Sequence, residues 1–324
     1  MSNMFLSDFS SCLESMIVYK KALGFSETTY IPRAKNFDRY CSQNFPESSV
    51  LSKAIVLGWL KRRPNESPST FHNRAGFLRC FGHYQKSMGL EAYILPDRFI
   101  GVKTTFVPYL FTDQELTDLF HEIDQFKGGR NALQPLLLST IFRMIYTCGL
   151  RPNEGRLLKR NAVNLETGEI LITETKRNKE RIVVMSDDML DLAKRYAYLR
   201  DAAYSDSPYF FPDAKGNAYS SAWIQKKFKN FFTRSNPDIE PDMLPFVRVY
   251  NLRHQFASTV LNRWLDEKQD LYARLPYLRT YMGHKELSAT AYYIHLLPEH
   301  LTKSAGIDWE ALRRMIPEVE LWEE

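Results

Sequence analysis

Between residues 95 and 108 the helical spacing of apolar side chains that governs the preceding positions stops. Pro96, Gly101, the Lys103-Thr104-Thr105 run and Pro108 replace it with what reads as an extended linker. No other stretch divides the chain so firmly, because neither an amphipathic helix nor a strand continues through it. It predicts two domains, 1–106 with the linker included and 107–324, each long enough for its own core. Just beyond it, Thr112-Asp113-Gln114-Glu115 has the form of a capping box, which opens a new helix.

The two parts differ in pattern. Before the linker, Phe5, Phe9, Leu13, Met16 and Ile17 share one helical face, a second helix is expected to follow Pro32, and a third to span 51–63. A fourth opens at Ser67-Pro68 and carries Arg74, Arg79, His83 and Lys86 among Phe71, Leu78 and Phe81. This predicts a compact all-α module with basic residues on its exposed faces. After the linker, an apolar helix starts at Gln134-Pro135 and breaks at Cys148-Gly149, and Pro152 restarts the next. Over 162–185 the period changes to two, and turn residues at 166–168 and 176–180 separate what reads as a three-stranded antiparallel meander. Helices return at 187–202 and 220–234. The expected fold class is mainly α with a small antiparallel β-meander: a helical module, then a mixed α/β domain.

Net charge is +5, unevenly placed: about +6 over 1–107, about +3 in the middle and about −4 over 299–324. A basic first third and an acidic tail suit a nucleic-acid binder whose tail stays clear of the polyanion, although an ordinary solvated surface would also read this way. No segment has the ~18 uninterrupted apolar residues of a membrane span, and the first residues lack a secretory signal. Cys12, Cys41, Cys80 and Cys148 have neither zinc nor disulfide spacing. Reduced thiols in a cytoplasmic protein, away from membranes, are the expectation.

Residues suited to handling a phosphate occur at successive stations. These are Gly149-Leu150-Arg151-Pro152-Asn153-Glu154, the turn over 174–181 with Lys176 and Lys179, Tyr250-Asn251-Leu252-Arg253-His254, Gly283-His284, and the pair Tyr292-Tyr293. In this order they resemble the active-site motifs of the tyrosine recombinases, the phage integrase family. The resemblance covers roughly residues 108–300, while the N-terminal helices match that family's core-binding domain only in kind. It implies that Arg151 and Arg253 are the two arginines, Lys176 the hairpin lysine, His284 the histidine, and Tyr293, nine residues beyond it, the nucleophile. The implied activity is site-specific DNA recombination through a 3′-phosphotyrosyl intermediate, most like the recombinases of mobile elements. It further implies double-stranded DNA held between the two domains, a homotetramer on paired sites, other recombinases or accessory proteins as partners, and neither ATP nor a metal cofactor.

The residue types suit this chemistry on physical grounds. Transesterification at a phosphodiester places negative charge on two non-bridging oxygens. Guanidinium forks bind such oxygens bidentately and stay charged at any working pH. Arg151 also precedes a proline-started helix, whose N-terminus favours anions. Its alternative role is a surface ion pair with Glu154, a residue read here as orienting Arg151 or capping the helix. The resemblance implies that Lys176 protonates the departing 5′-oxygen, a strong base that needs a general acid, with Lys179 as the runner-up. His284 is read as a donor to the phosphate, and a phenol such as Tyr293 needs activation to attack. Arg74, Arg79, Lys103 and Lys179 are candidate DNA contacts.

Two features depart from the family pattern. Tyr250 stands where the family usually has histidine, and a phenol is a poor general base, so Tyr250 is expected only to hydrogen-bond a phosphate oxygen. His254, next to Arg253, is expected to point elsewhere, and Tyr292 to pack in the core. Residues 265–276 form an insert that reads as a loop with a short turn. The rival readings are a DNA-binding accessory protein of the same fold with impaired cleavage, and a nicking-closing enzyme like a type IB topoisomerase.

Overall fold

The computed structural model describes residues 5–25, 27–96, 99, 108–128, 132–173 and 180–296. The chain forms two compact units, Met1–Val107 and Pro108–Glu324.

Among its described residues the first unit holds four α-helices: α1 (Ser10–Ala22), α2 (Glu27–Asn44), α3 (Lys53–Trp59) and α4 (Pro68–Ser87). Phe37 of α2 lies at their centre, its ring 5.8 Å from Phe9, 5.4 Å from Trp59 and 5.8 Å from Phe81. Buried Asp38, one residue on, accepts from the backbone N–H groups of Leu6 and Ser7 and from the Ser7 hydroxyl, which fixes the approach to α1. α2 begins at Glu27 rather than after Pro32, which it carries in its second turn. α3 is shorter than expected. The Ser52 side chain caps it by accepting from Ile55 N–H at 3.3 Å, and Leu51 instead forms a bridge to Ala92.

In the second unit, Thr112 and Glu115 close their capping box and start α5 (Asp113–Asp124). α6 (Gln134–Thr147) is the central helix. Its Leu137, Leu138, Ile141, Phe142, Met144 and Ile145 are all fully buried. The short α7 (Pro152–Arg156) and a 3-10 turn, Arg160–Ala162, lead to β1 (Glu169–Ile172), which pairs antiparallel with β2 (Arg181–Val184) in the register Glu169↔Val184 to Ile172↔Arg181. Ile170, Ile172 and Val183 face the core, while Leu171, Ile182 and Val184 are exposed.

The first strand expected of the meander is a single antiparallel bridge from Val163 to Ile170. The Asn164 Oδ1 accepts from the N–H groups of Glu166 and Thr167, turning the chain before a strand can extend. Residues 174–179, with Lys176 and Lys179, lie outside the described residues, as does Lys103.

There follow α8 (Asp187–Ala203), α9 (Ser221–Arg234), α10 (Tyr250–Asp266), α11 (Leu271–Met282), α12 (Ser288–Ala291) and a 3-10 segment, Tyr292–Leu296. α11 replaces the loop expected over 265–276. The Asp270 carboxylate accepts from Tyr272 and Ala273 N–H, and Leu271, Leu275, Leu278 and Met282 then bury one helical face despite Pro276. Among the described residues no helix is long and apolar enough to cross a membrane.

Candidate active site

Two helices end in the same way, and the site is built on those ends. α6 closes at Gly149 and α11 at Gly283, both in the left-handed region (φ 61° and 64°). In each, the residue after the glycine donates backward: Leu150 N–H to the Ile145 carbonyl, His284 N–H to the Arg279 carbonyl. Glycine is needed at both places because a Cβ favours neither backbone conformation. A Cβ at Gly149 would also lie 2.5 Å from the Phe256 ring. The chain therefore leaves α6 with Arg151 two residues later, and leaves α11 directly into His284.

The carbonyls at a helix C-terminus carry partial negative charge, and both arginines bind them. Arg253, fully buried on α10, donates to the Gly149 carbonyl at 2.5 Å and to the Met282 carbonyl at 2.6 Å, so it joins the two helix ends. Arg151, about one third exposed, donates to the Gly283 carbonyl at 2.8 Å and to Glu154 at 2.7 Å. Both guanidiniums thus converge on 282–283.

Glu154 is the anion of the cluster. Its carboxylate accepts from Arg151 N–H and side chain and from both ends of the Arg181 fork at 3.0 and 2.6 Å, with Arg253 at 4.0 Å. Burial pushes its pKa up, but Arg181 and then Arg151 more than reverse this and hold it at about 2. The ion pair foreseen between Arg151 and Glu154 is present, yet it belongs to a larger network in which Arg181 also binds the Tyr281 carbonyl. For Arg253, burial lowers the pKa to about 10, which leaves it charged.

His284 lies between Arg253 and Thr290. Its Nε2 is 3.1 Å from Arg253 Nη2, and its Nδ1 is 2.8 Å from the Thr290 hydroxyl. A guanidinium can only donate, so Nε2 is the acceptor and the proton sits on Nδ1. Burial, then Arg253, Arg151 and Arg181, lowers its pKa to about 3, consistent with a neutral ring. The role foreseen for His284, donation to a phosphate, thus requires Nε2 to gain a proton when the anion arrives.

Tyr293 is buried (2 % exposed) with its ring stacked 6.2 Å from His284. Its hydroxyl is 3.0 Å from His254 Nδ1. Burial raises its pKa, and the nearby Arg253 only partly opposes this. Two expectations are corrected here. His254 does not point elsewhere: one turn after Tyr250 on α10, it lies 4.9 Å from that ring and meets Tyr293. Tyr292, expected in the core, is the more exposed member of the tyrosine pair, because the 3-10 segment turns Tyr293 inward.

Arg151, Tyr250, Arg253, His284 and Tyr293 are thus gathered in one place; Lys176 lies outside the described residues. Sequence reasoning missed Arg181 and Thr290 and misplaced His254. The four-residue step from Tyr250 to His254 on a helix was a usable signal for the last. In the first unit, Arg74 is 4 % exposed and its guanidinium is taken by Glu66 at 2.7 Å and by the Trp59 carbonyl, so it holds α4 in place instead of facing a ligand. Arg79 lies half-buried on the same helix. Among the described residues no three His, Cys, Asp or Glu side chains gather as a metal site would need.

Comparison with known proteins gives a consistent result. The model of the phage integrase family matches residues 110–300. Over 96% of its length the chain is 26% identical to y4rB of Sinorhizobium fredii, named as an integrase/recombinase, and covers 98% of that protein. In fold it is similar to the XerH site-specific recombinase bound to palindromic difH substrate (TM-score 0.65, 22% identity, 88% of this chain and 80% of that one). It is equally similar to the Tn1549 transposon integrase in complex with transposon right end DNA (TM-score 0.65, 13% identity, 94% and 97% covered). Fold and match together define a site-specific DNA recombinase of the tyrosine class. The chain belongs to the phage integrase family.

Proposed function

We propose that this chain binds double-stranded DNA and exchanges strands by transesterification, with Tyr293 as nucleophile. Attack of the Tyr293 oxygen on the scissile phosphorus forms a 3′-phosphotyrosyl bond and releases a 5′-hydroxyl. That hydroxyl then attacks the partner strand's phosphotyrosine. One ester bond is exchanged for another, so the cycle itself demands no energy source. Arg151 and Arg253 take the two non-bridging oxygens, His284 donates a further hydrogen bond once protonated, and Tyr250 is within the same cluster for another. Lys176 protonates the departing oxygen. The observation that carries the reading is the convergence of Arg151, Arg253, His284 and Tyr293 at the ends of α6 and α11.

Exchange at two sites calls for four copies, so the working form is a homotetramer on paired DNA sites, in the cytoplasm, and the DNA served is a mobile element. That last point is in keeping with the fold shared with the Tn1549 transposon integrase. A duplex nicked near the cleavage point tests the chemistry: the chain should leave a covalent protein–DNA adduct, and Tyr293→Phe should leave none. An adduct lost in Tyr292→Phe instead would move the nucleophile. Relaxation of supercoiled DNA lacking any special site would favour a nicking-closing enzyme over a recombinase.

A further inference from the structure

We propose that His254 accepts the proton of Tyr293 when that tyrosine attacks the scissile phosphorus. The inference rests on the reading of Tyr293 as nucleophile and fills the one role left open there, the general base. The position expected to hold a histidine holds Tyr250, a phenol with little basicity near neutral pH. One helical turn further on, His254 shares its face of α10, and its Nδ1 is 3.0 Å from the Tyr293 hydroxyl, within reach for direct proton transfer. The imidazole stands between the two phenols, 4.9 Å from the Tyr250 ring and 5.5 Å from the Tyr293 ring.

The ring is in the right protonation state. Burial and then Arg253 lower its pKa to about 4, so at neutral pH it carries one proton. With that proton on Nε2, Nδ1 offers its lone pair to the phenol. A weakly basic imidazole suffices, because the phenol becomes strongly acidic as its oxygen bonds to phosphorus. The phosphate's charge, arriving beside Arg253, also offsets part of what keeps His254 from accepting a proton.

The proton balance closes. In cleavage the Tyr293 oxygen–phosphorus bond forms and the phosphorus–O5′ bond breaks, its electron pair leaving on O5′. The phenolic proton passes to His254 Nδ1, and O5′ is protonated by a separate acid, the role given to Lys176. In rejoining, the 5′-hydroxyl returns its proton to that acid and attacks, and the departing tyrosine oxygen recovers its proton from His254.

The test uses the full chain and a nicked suicide duplex, with single-turnover adduct formation as the readout in His254→Ala and His254→Gln. Cleavage should fall roughly a hundredfold or more, while DNA retention and thermal unfolding of the Gln variant match the parent. The defect should persist on a substrate with bridging sulfur at the 5′ leaving position, which has no need of a leaving-group acid. Added imidazoles should restore His254→Ala in step with their basicity, which a merely structural role would not show. Adduct formation by either variant within about threefold of the parent would overturn the proposal. So would rescue by bridging sulfur, which places His254 on the leaving-group side, or restoration indifferent to basicity. If His254→Ala fails to fold, the Gln variant decides. A parent that forms no adduct, or a Tyr293→Phe variant that does, removes the nucleophile assignment instead.

Discussion

Glu154 sets the charge of the site. It is a buried carboxylate among Arg151, Arg181 and, more distantly, Arg253. Glu154→Gln would leave these guanidiniums crowded without an anion, and removing one partner of a buried pair typically costs about 3–5 kcal/mol. Denaturant unfolding should show a loss of that size, with adduct formation falling alongside. The histidines set the acid limit. Burial lowers the pKa of His254 to about 4 and of His284 to about 3, so below pH ~6.5 the unfolded chain binds protons that the folded chain refuses. Stability should fall as pH drops from about 6.5 toward 4, with each histidine contributing a slope of up to about 1.4 kcal/mol per pH unit. Glu154, held at about 2, adds a further loss only below about pH 4.5. Unfolding midpoints measured between pH 7 and 4 check this, and His284→Gln should flatten the curve.

Much of this residue-scale picture was legible in the sequence. Arg151, Arg253, His284 and Tyr293 stand at spacings that resemble a known family, and guanidinium forks suit a phosphate on elementary grounds. Arg181 and Thr290 were not legible in that way. Arg181 meets the Tyr281 carbonyl a hundred residues along the chain, and nothing local marks that meeting. Thr290 is an ordinary helix residue until His284 turns toward it.

At the scale of elements, the two glycine-ended helices differ in tolerance. Both left-handed positions penalise a side chain by about 1–2 kcal/mol. A Cβ at Gly149 would in addition press on the Phe256 ring at 2.5 Å, whereas at Gly283 the nearest atom, of the Arg181 guanidinium, is 3.2 Å away. Gly149→Ala should therefore lower the melting temperature, and the adduct yield, clearly more than Gly283→Ala. Elements were misjudged where a local signal had a competitor. Asp270 is a readable N-cap, yet 265–276 was read as a loop with a short turn, whereas a helix carrying Pro276 runs from Leu271 to Met282. Asp270→Ala should cost about 1 kcal/mol through loss of that cap, seen as a lower midpoint in thermal unfolding. The β-meander was read from alternation and turn residues, and the Asn164 turn leaves its first strand as one bridge.

At the scale of the molecule, binding should be governed by phosphate contacts. If six or more are made, affinity for duplex DNA should drop roughly a thousandfold or more between 50 and 200 mM salt, measurable by fluorescence anisotropy. Arg74→Ala should leave that slope unchanged and instead destabilise the first unit, since its fork is spent on Glu66 and Trp59.

The guanidiniums of Arg151 and Arg253 hold peptide oxygens at 149, 282 and 283. On the proposed function, a phosphate seated there would share those guanidiniums with the backbone, and any hydrogen bond drawn away from a peptide oxygen would loosen a latch on the segment leading to Tyr293. On that reading engagement and release would be one event, with the backbone oxygens as placeholders for the nucleic acid. Amide hydrogen exchange should accordingly quicken at 283–291 on binding, even as the surrounding helices become better protected.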